Sequence, residues 1–399
     1  MSAPLRVALI ASNRFPLRQP FAGGLEAHVW QLARALADRG HDVSLFAAPG
    51  SDPGLGCDTL TVRELTLSAA ALADSSMPAA AHMSDHHAYL SLMMSLARAG
   101  GGGYDVIHNH SLHHLPVAMA PMVPTPMLTT VHTPPTPWLE SALLVTGGAG
   151  TRFAAVSRHT ADAWSHAAPD VTVVPNGVDT NQWRLGPGGD ELVWFGRITP
   201  EKAPHLAIEA ARLANRPLVI AGPVSDQAYY EDLVAPGLGG RVRYAGHLRH
   251  DELSRLVGRS AAALVTPVWD EPYGLVVAEA MSCGTPVVAF ARGGIPETVG
   301  RRSGRLVPPG DTAAMAAAIP EAIALSRPTV HEHAVAHCSA EAMVTAYLRL
   351  YRTMLDDPNG KNDDRLLHPP SRSRASAPSH RHLRTPSPAG HRPDLAGRS

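Results

Sequence analysis

Two glutamates, Glu271 and Glu279, stand eight residues apart around Gly274 in the stretch WDEPYGLVVAEAMSCGTPVV, residues 269–288. The apolar run from Leu275 reads as a helix starting just after the glycine, so Glu271 lies in the loop before it and Glu279 about one turn in. Carboxylates so placed can reach different parts of one ligand. On a glycosidic bond, a retaining hydrolase would need the two carboxyls about 5 to 5.5 Å apart. As hydrogen-bond acceptors they would hold sugar or ribose hydroxyls, as an acid does in dinucleotide folds. A third reading makes Glu279 a solvated residue on a helix face, and the spacing alone leaves all three open.

Cations stand in a second segment, FGRITPEKAP (195–204), where Arg197 and Lys202 follow an apolar run and could hold a diphosphate between them. In FAGGLEAHVW (21–30), Gly23 and Gly24 precede a helical pattern, which lets backbone N–H groups approach a phosphate. Gly274 offers the same freedom at the start of its helix. Neither loop is a G-x-G-x-x-G or Walker A sequence, which removes the main support for a nicotinamide or ATP site. The stretch HNHSLHH (108–114) has residue types that bind metals, but no carboxylate or cysteine sits nearby and alternate strand residues face opposite ways. No metal is expected there, and His110, at a strand's carboxyl end, reads as a crevice residue.

These residues are far apart in the chain and need a scaffold that gathers loops at one edge. Short apolar runs alternate with longer amphipathic ones, the pattern of parallel strands joined by crossover helices. In the first half the strands read as 6–11, 42–47, 106–110, 127–132, 153–157 and 171–175. In the second they read as 192–195, 217–221, 242–245, 262–266 and 286–290. Leu25, Val29, Leu32 and Leu36 mark one face of a helix over 25–39 that Gly40 ends. The segment 50–103 reads poorly beyond a helix around 89–97. The Gly-, Pro- and Asn-rich stretch 176–190 marks a linker, and Met343, Tyr347, Leu350 and Met354 form the stripe of a terminal helix.

The expected fold class is α/β, two doubly wound Rossmann-like units, in which ligands bind outside the carboxyl ends of the strands. The expected division is a first domain over 1–180, a second over 181–340, a helix over 341–356 returning toward the first, and a disordered tail over 357–399. That tail is rich in Ser, Pro, Arg and His and has almost nothing to bury.

Composition narrows the function. With 399 residues, 45% of them hydrophobic, the chain can build more than one core, and a net charge of −1 gives no basic field for nucleic acid. Cys57, Cys283 and Cys338 are too few and too scattered for a disulfide framework or zinc site, which fits a reducing cytoplasm. The opening MSAPLRVALIAS lacks a leader's long apolar region, and prolines interrupt the uncharged run between Asp105 and Glu140, so no membrane span is expected.

The stretch EPYGLVVAEAMSCGTPVVAFARGGIPETV, with GRITPEK, VPNGVD, PFAGG and AGHL, resembles the retaining glycosyltransferases of family 4, which have the GT-B fold. The resemblance runs from Arg6 to about Leu355. It implies two Rossmann-like domains facing across a cleft and transfer of a sugar, a hexose from UDP or GDP, to a hydroxyl acceptor with its anomeric configuration kept. By the same resemblance Glu271 contacts the transferred sugar and Glu279 binds the ribose. Arg197 and Lys202 hold the diphosphate, Gly24 closes on it from the first domain, and the backbone of Gly274, Leu275 and Val276 adds N–H groups.

TTVHTPP matches a position where a strand-end histidine faces the donor sugar, which makes His132 the second catalytic candidate beside Glu271. AGHL places Leu248 against the base. Ala203 departs from the pattern, because many relatives carry glycine after the lysine, and this puts the loop's geometry in question. The resemblance implies neither metal nor cofactor, and peripheral membrane association if the acceptor is a lipid. The competing readings are a sugar-nucleotide epimerase on the same fold, a phosphorylase or hydrolase that releases sugar phosphate or free sugar from an oligosaccharide without nucleotide, and a sugar-nucleotide-binding protein without transfer activity.

Overall fold

The structure is a computed structural model that describes residues 3–62, 64–74, 80–98, 103–168 and 170–357. The expected disordered tail lies, apart from Asp357, outside the described residues.

The first half forms a seven-stranded sheet from β1 (Arg6–Ile10), β2 (Asp42–Phe46), β3 (Asp58–Thr59), β4 (Val106–Asn109), β5 (Met127–Val131), β6 (Thr151–Ala155) and β7 (Thr172–Val173). Its order is β3-β2-β1-β4-β5-β6-β7, and every pair is parallel. A second, six-stranded parallel sheet takes β8 (Leu192–Phe195), β9 (Leu218–Ala221), β10 (Val242–Tyr244), β11 (Ala262–Val265), β12 (Val287–Phe290) and β13 (Gly304–Val307) in the order β10-β9-β8-β11-β12-β13. The chain is thus an α/β protein of two Rossmann-like units facing across a cleft.

Most of these strands are runs such as LVWF and VVAF because helices cover both faces of a parallel sheet, leaving no polar side. β3 and β13 escaped the sequence reading for that reason. β3 is two exposed residues, and GRLV at the second sheet's edge is only partly buried.

In each sheet the strand order reverses once, between β1 and β4 and between β8 and β11. Loops leaving those strands diverge to opposite faces and open a crevice at the carboxyl edge. Ser12, Leu112, Arg197 and Pro267 follow these four strands, and all line one cleft.

The helix Ala340–Asp356 belongs to the core of the first unit. Met343, Val344, Tyr347 and Tyr351 are buried against a cluster that includes Leu9, Val29 and Leu128. Burying a side chain of this size contributes about 1.5–3 kcal/mol. The chain therefore passes between the units twice, and the passages touch: Val178 N–H donates to Cys338 O (2.8 Å) and Ala340 N–H to Val178 O (2.9 Å). Gly177 permits this approach, since a Cβ there would meet Ser339 O at 2.5 Å. Among the described residues, no helix is long and apolar enough to cross a membrane.

Candidate active site

A cleft of about 390 Å³ lies between the units, and Gly24, His132, Arg197, Lys202, Leu248, Glu271, Gly274, Leu275, Val276 and Glu279 all line it.

The cationic loop is held from below. Trp194 Nε1 donates to Thr266 Oγ1 (3.0 Å), and that hydroxyl donates to the carbonyls of Ala203 (3.0 Å) and Lys202 (3.1 Å). Thr266 directly follows β11, so the sheet edge fixes the backbone from which Lys202 projects. Ala203 sits at φ 48° and ψ 53°, the left-handed conformation that glycine adopts without strain.

Lys202 Nζ forms an ion pair with Glu271 and lies 5.1 Å from the centroid of the Trp269 ring. Trp269 Nε1 donates to Glu271 (3.0 Å), so the indole orients both members of the pair. The loop under Glu271 is fixed through its backbone: Gly294 N–H donates to Glu271 O (2.7 Å), and a Cβ on Gly293 would lie 2.2 Å from that oxygen.

Gly274 begins the helix Leu275–Ser282 at φ 85° and ψ 65°. As first residues of a helix, Leu275 and Val276 have N–H groups with no carbonyl four residues back. Glu279, one turn in, is 9% exposed, and burial pushes its pKa up to about 8. A solvated helix face is therefore excluded for Glu279.

From the first unit, the helix Gly24–Asp38 presents its N-terminus to the cleft with no side-chain cap. A Cβ on Gly24 would meet Leu275 Cδ1 at 3.0 Å, so the N-termini of the two helices approach closely across the cleft. Glu26, which the sequence reading passed over, lines the cleft in this helix's first turn. Burial raises its pKa, offset by its own backbone hydrogen bond and by Arg197 and Arg14. An acid two residues after Gly-Gly was the available signal for it. Leu248, in the loop after β10, closes the second-unit side.

The expectation for His110 is corrected. It does not line the cleft but is fully buried behind His132, because its N–H still follows the sheet register and donates to Ile10 O (2.8 Å). Being two residues apart, His108 and His110 share a face of the sheet rather than opposing ones. His110 Nδ1 is 2.9 Å from His132 Nε2, and His110 Nε2 is 3.1 Å from His108 Nδ1. His28 joins them from the helix Gly24–Asp38. Ring nitrogens of His28, His110 and His132 come within 4.8 Å of one another, the one group of this kind among the described residues.

Cations, two helix N-termini and acids converging at the switch points of two Rossmann-like units define a GT-B glycosyltransferase architecture. The family described as Glycosyltransferase Family 4 matches residues 22–182, and that described as Glycosyl transferases group 1 matches residues 189–324. A glycogen synthase of Mycobacterium tuberculosis is 31% identical over 340 residues, 74% of this chain and 81% of that protein. A D-inositol 3-phosphate glycosyltransferase of Catenulispora acidiphila is 30% identical over 430 residues, 90% of this chain and 98% of the other. Solved structures share the fold at lower identity. Sucrose-phosphate synthase of Thermosynechococcus elongatus has a TM-score of 0.71 at 23% identity, over 88% of this chain and 99% of that one. The HepE protein of Anabaena in complex with UDP-glucose has a TM-score of 0.66 at 18% identity, over 88% and 100%. The chain belongs to the family 4 glycosyltransferases.

Proposed function

We propose that this chain is a retaining glycosyltransferase that moves a hexose from a UDP- or GDP-sugar to a hydroxyl acceptor. The observation that carries the reading is the convergence of Arg197, Lys202, Glu271 and Glu279 with two helix N-termini on one cleft. The HepE complex with UDP-glucose supports a uridine donor on this fold.

The donor lies mainly on the second unit, taken as residues 181–340, and the acceptor on the first, residues 1–180. Arg197, Lys202 and the N–H groups of Leu275 and Val276 hold the diphosphate, because fixed donors stabilise charge as it develops on a leaving group. Glu279 accepts hydrogen bonds from the ribose, and Leu248 packs on the base. Glu271 orients the transferred sugar and His132 meets one of its hydroxyls. The anomeric carbon–oxygen bond breaks with its electron pair going to the diphosphate. The acceptor oxygen then bonds to that carbon on the same face, and its proton passes to a phosphate oxygen of the leaving group. No protein nucleophile is needed.

The test is a thermal-shift and hydrolysis screen against UDP-, GDP- and ADP-sugars, followed by nuclear magnetic resonance of the anomeric centre in the product. Stabilisation and slow hydrolysis with one donor are expected, with transfer retaining configuration once an acceptor is added. Failure of all sugar nucleotides to bind refutes the reading, a donor epimerised at C2 without acceptor makes the chain an epimerase, and an inverted product refutes retention.

A further inference from the structure

We propose that Trp138 and the imidazoles stacked behind it form a saccharide platform that holds an uncharged oligosaccharide acceptor by a ring beyond the one that reacts. The inference rests on the proposed function only for calling that saccharide the acceptor.

Loops after the neighbouring strands β1, β4 and β5, with the helix Ala80–Arg98, build the platform at the carboxyl edge of the first sheet. Tyr89 is its buried root. The Tyr89 hydroxyl donates to Ala11 O (3.0 Å) and accepts from Asn13 N–H (2.9 Å), just beyond β1. Its ring stacks on His113 (centroids 4.3 Å, 17°), His113 on His114 (4.4 Å, 22°), and His114 on Trp138 (5.1 Å, 23°). Burial and the imidazoles of His114, His86 and His82 push the pKa of His113 down to about 3, and burial with His86 and His82 lowers that of His114. Neutral rings stack without mutual repulsion, so the column holds the indole in place.

The platform adjoins the cleft along the chain. Ser12 and Leu112, which line the cleft, directly precede Asn13 and His113. His132 and Thr133, also in the lining, lead into Trp138 through Pro134, Pro135 and Pro137, and Pro137 is the first residue of the helix Pro137–Thr146. Prolines fix φ, so the indole keeps a set position relative to His132. Trp138 itself stands outside the cleft lining, which is why a ring beyond the reacting one would reach it.

The exposed end has the chemistry of a sugar site. Trp138 is 62% exposed, His114 covers one face of its ring, and His82 stands off at 6.5 Å. The indole N–H and the nitrogens of His114 have no hydrogen-bond partner among the described residues. An apolar ring edged by free hydrogen-bonding groups matches a pyranose, whose C–H face is apolar and whose hydroxyls lie at its rim. Charge is missing. Residues 80–97 and 106–151 contain no lysine or arginine, and Glu140 is paired with His166 (2.9 Å). The first-unit cation in the cleft lining, Arg14, lies over the Phe15 ring (5.8 Å). The segments that build the platform therefore offer no cation to an acidic or phosphorylated glycan, nor to the headgroups of an anionic lipid surface.

The test is an array of neutral and acidic oligosaccharides probed with the full chain in the absence of donor, followed by titration of the glycans retained. Neutral oligosaccharides of two or more rings should bind and acidic ones should not. Trp138→Ala should weaken that binding about tenfold, the scale of one aromatic stacking contact, and Trp138→Phe should stay within a few-fold of wild type. Val145→Ala, on the same helix and exposed, should bind as wild type does. With a retained glycan as acceptor, Trp138→Ala should raise acceptor KM about tenfold and leave kcat and donor KM within a few-fold. An array without a neutral ligand, a preference for acidic glycans, or equal affinity in Trp138→Ala overturns the proposal. So does Trp138-dependent binding to phosphatidylcholine vesicles, which would make this face a lipid surface. Donor turnover that never uses a retained glycan removes the acceptor role. Saccharide binding needs no donor, so absence of sugar-nucleotide chemistry would sink the functional reading and leave the platform standing.

Discussion

The ammonium of Lys202 is ion-paired with the carboxylate of Glu271, 69 residues further along the chain, and Trp269 contacts both. A group proposed to grip a leaving phosphate and a group proposed to orient the sugar are thus in direct contact, so a donor diphosphate would compete with Glu271 for the ammonium. Two substitutions separate the roles. Lys202→Ala should weaken binding of the bare nucleoside diphosphate by about tenfold or more, the scale of a lost charge-assisted hydrogen bond. Glu271→Gln should keep or slightly raise that affinity, because the competitor is gone, and should lower transfer by about 10²–10³-fold. Isothermal titration with UDP and GDP, beside turnover, reads both. Equal loss of binding in the two variants would make the pair structural.

The loop carrying Lys202 depends on a backbone conformation that side chains disfavour. Ala203 is in the left-handed region, fully buried, with its carbonyl held by Thr266. Ala203→Gly relieves the strain but loses a buried methyl group and loosens the unfolded chain, so its stability should fall within about 1 kcal/mol of the parent. Ala203→Val places a β-branched residue where positive φ is rare and should cost about 2 kcal/mol or more while weakening diphosphate binding. Denaturant unfolding measures both, and a valine variant as stable as the parent would show that the loop can relax.

The two units are joined beside the cleft by a helix cap supplied from a distance. Glu297 accepts from Arg158 N–H and His159 N–H, both at 2.8 Å, at the start of the helix Arg158–Trp164. A carboxylate at a helix N-terminus meets free N–H groups and the positive end of the dipole. Glu297→Ala should cost about 1 kcal/mol. Amide exchange at Arg158 and His159 should quicken about fivefold, the equivalent in rate of that energy. Unchanged exchange at these two amides would mean that solvent replaces the carboxylate without loss.

What could be read from the sequence divides along a physical line. Lys202, Glu271, Gly274 and Glu279 were legible because each lies in a short segment directly after an apolar strand, where chain order and spatial position coincide. Glu26, Trp269 and His28 were not singled out, since a residue in the first turn of a helix, an indole in a loop or a histidine on an amphipathic helix has no local signature of its own. The contact of His108 with Tyr351 spans 243 residues and exists because the terminal helix returns to the first sheet. The stripe on that helix was visible, but not the strand it covers. His110 was misplaced because a strand's carboxyl end was equated with the cleft, whereas the ring turns inward under that helix.

Glu279 gives a pH dependence whose sign follows from its burial. Its pKa is pushed up to about 8 by desolvation, against an ordinary value of 4.5. Across that window the folded chain keeps a proton that the unfolded chain has released, so stability falls as pH rises from about 4.5 to about 8, by at most about 1.4 kcal/mol per unit. Glu279→Gln carries no such proton, and its stability relative to wild type should improve across the window and level off above it. Ribose hydroxyls donating to the carboxylate would favour its charged form and release the proton on binding. Affinity for UDP or GDP should therefore rise toward pH 8 more steeply in wild type than in Glu279→Gln, a comparison that cancels the titration of the nucleotide itself. Calorimetry in two buffers of different ionisation enthalpy counts the protons released. An equal count in the two proteins would remove Glu279 from the ribose site while leaving its effect on stability in place.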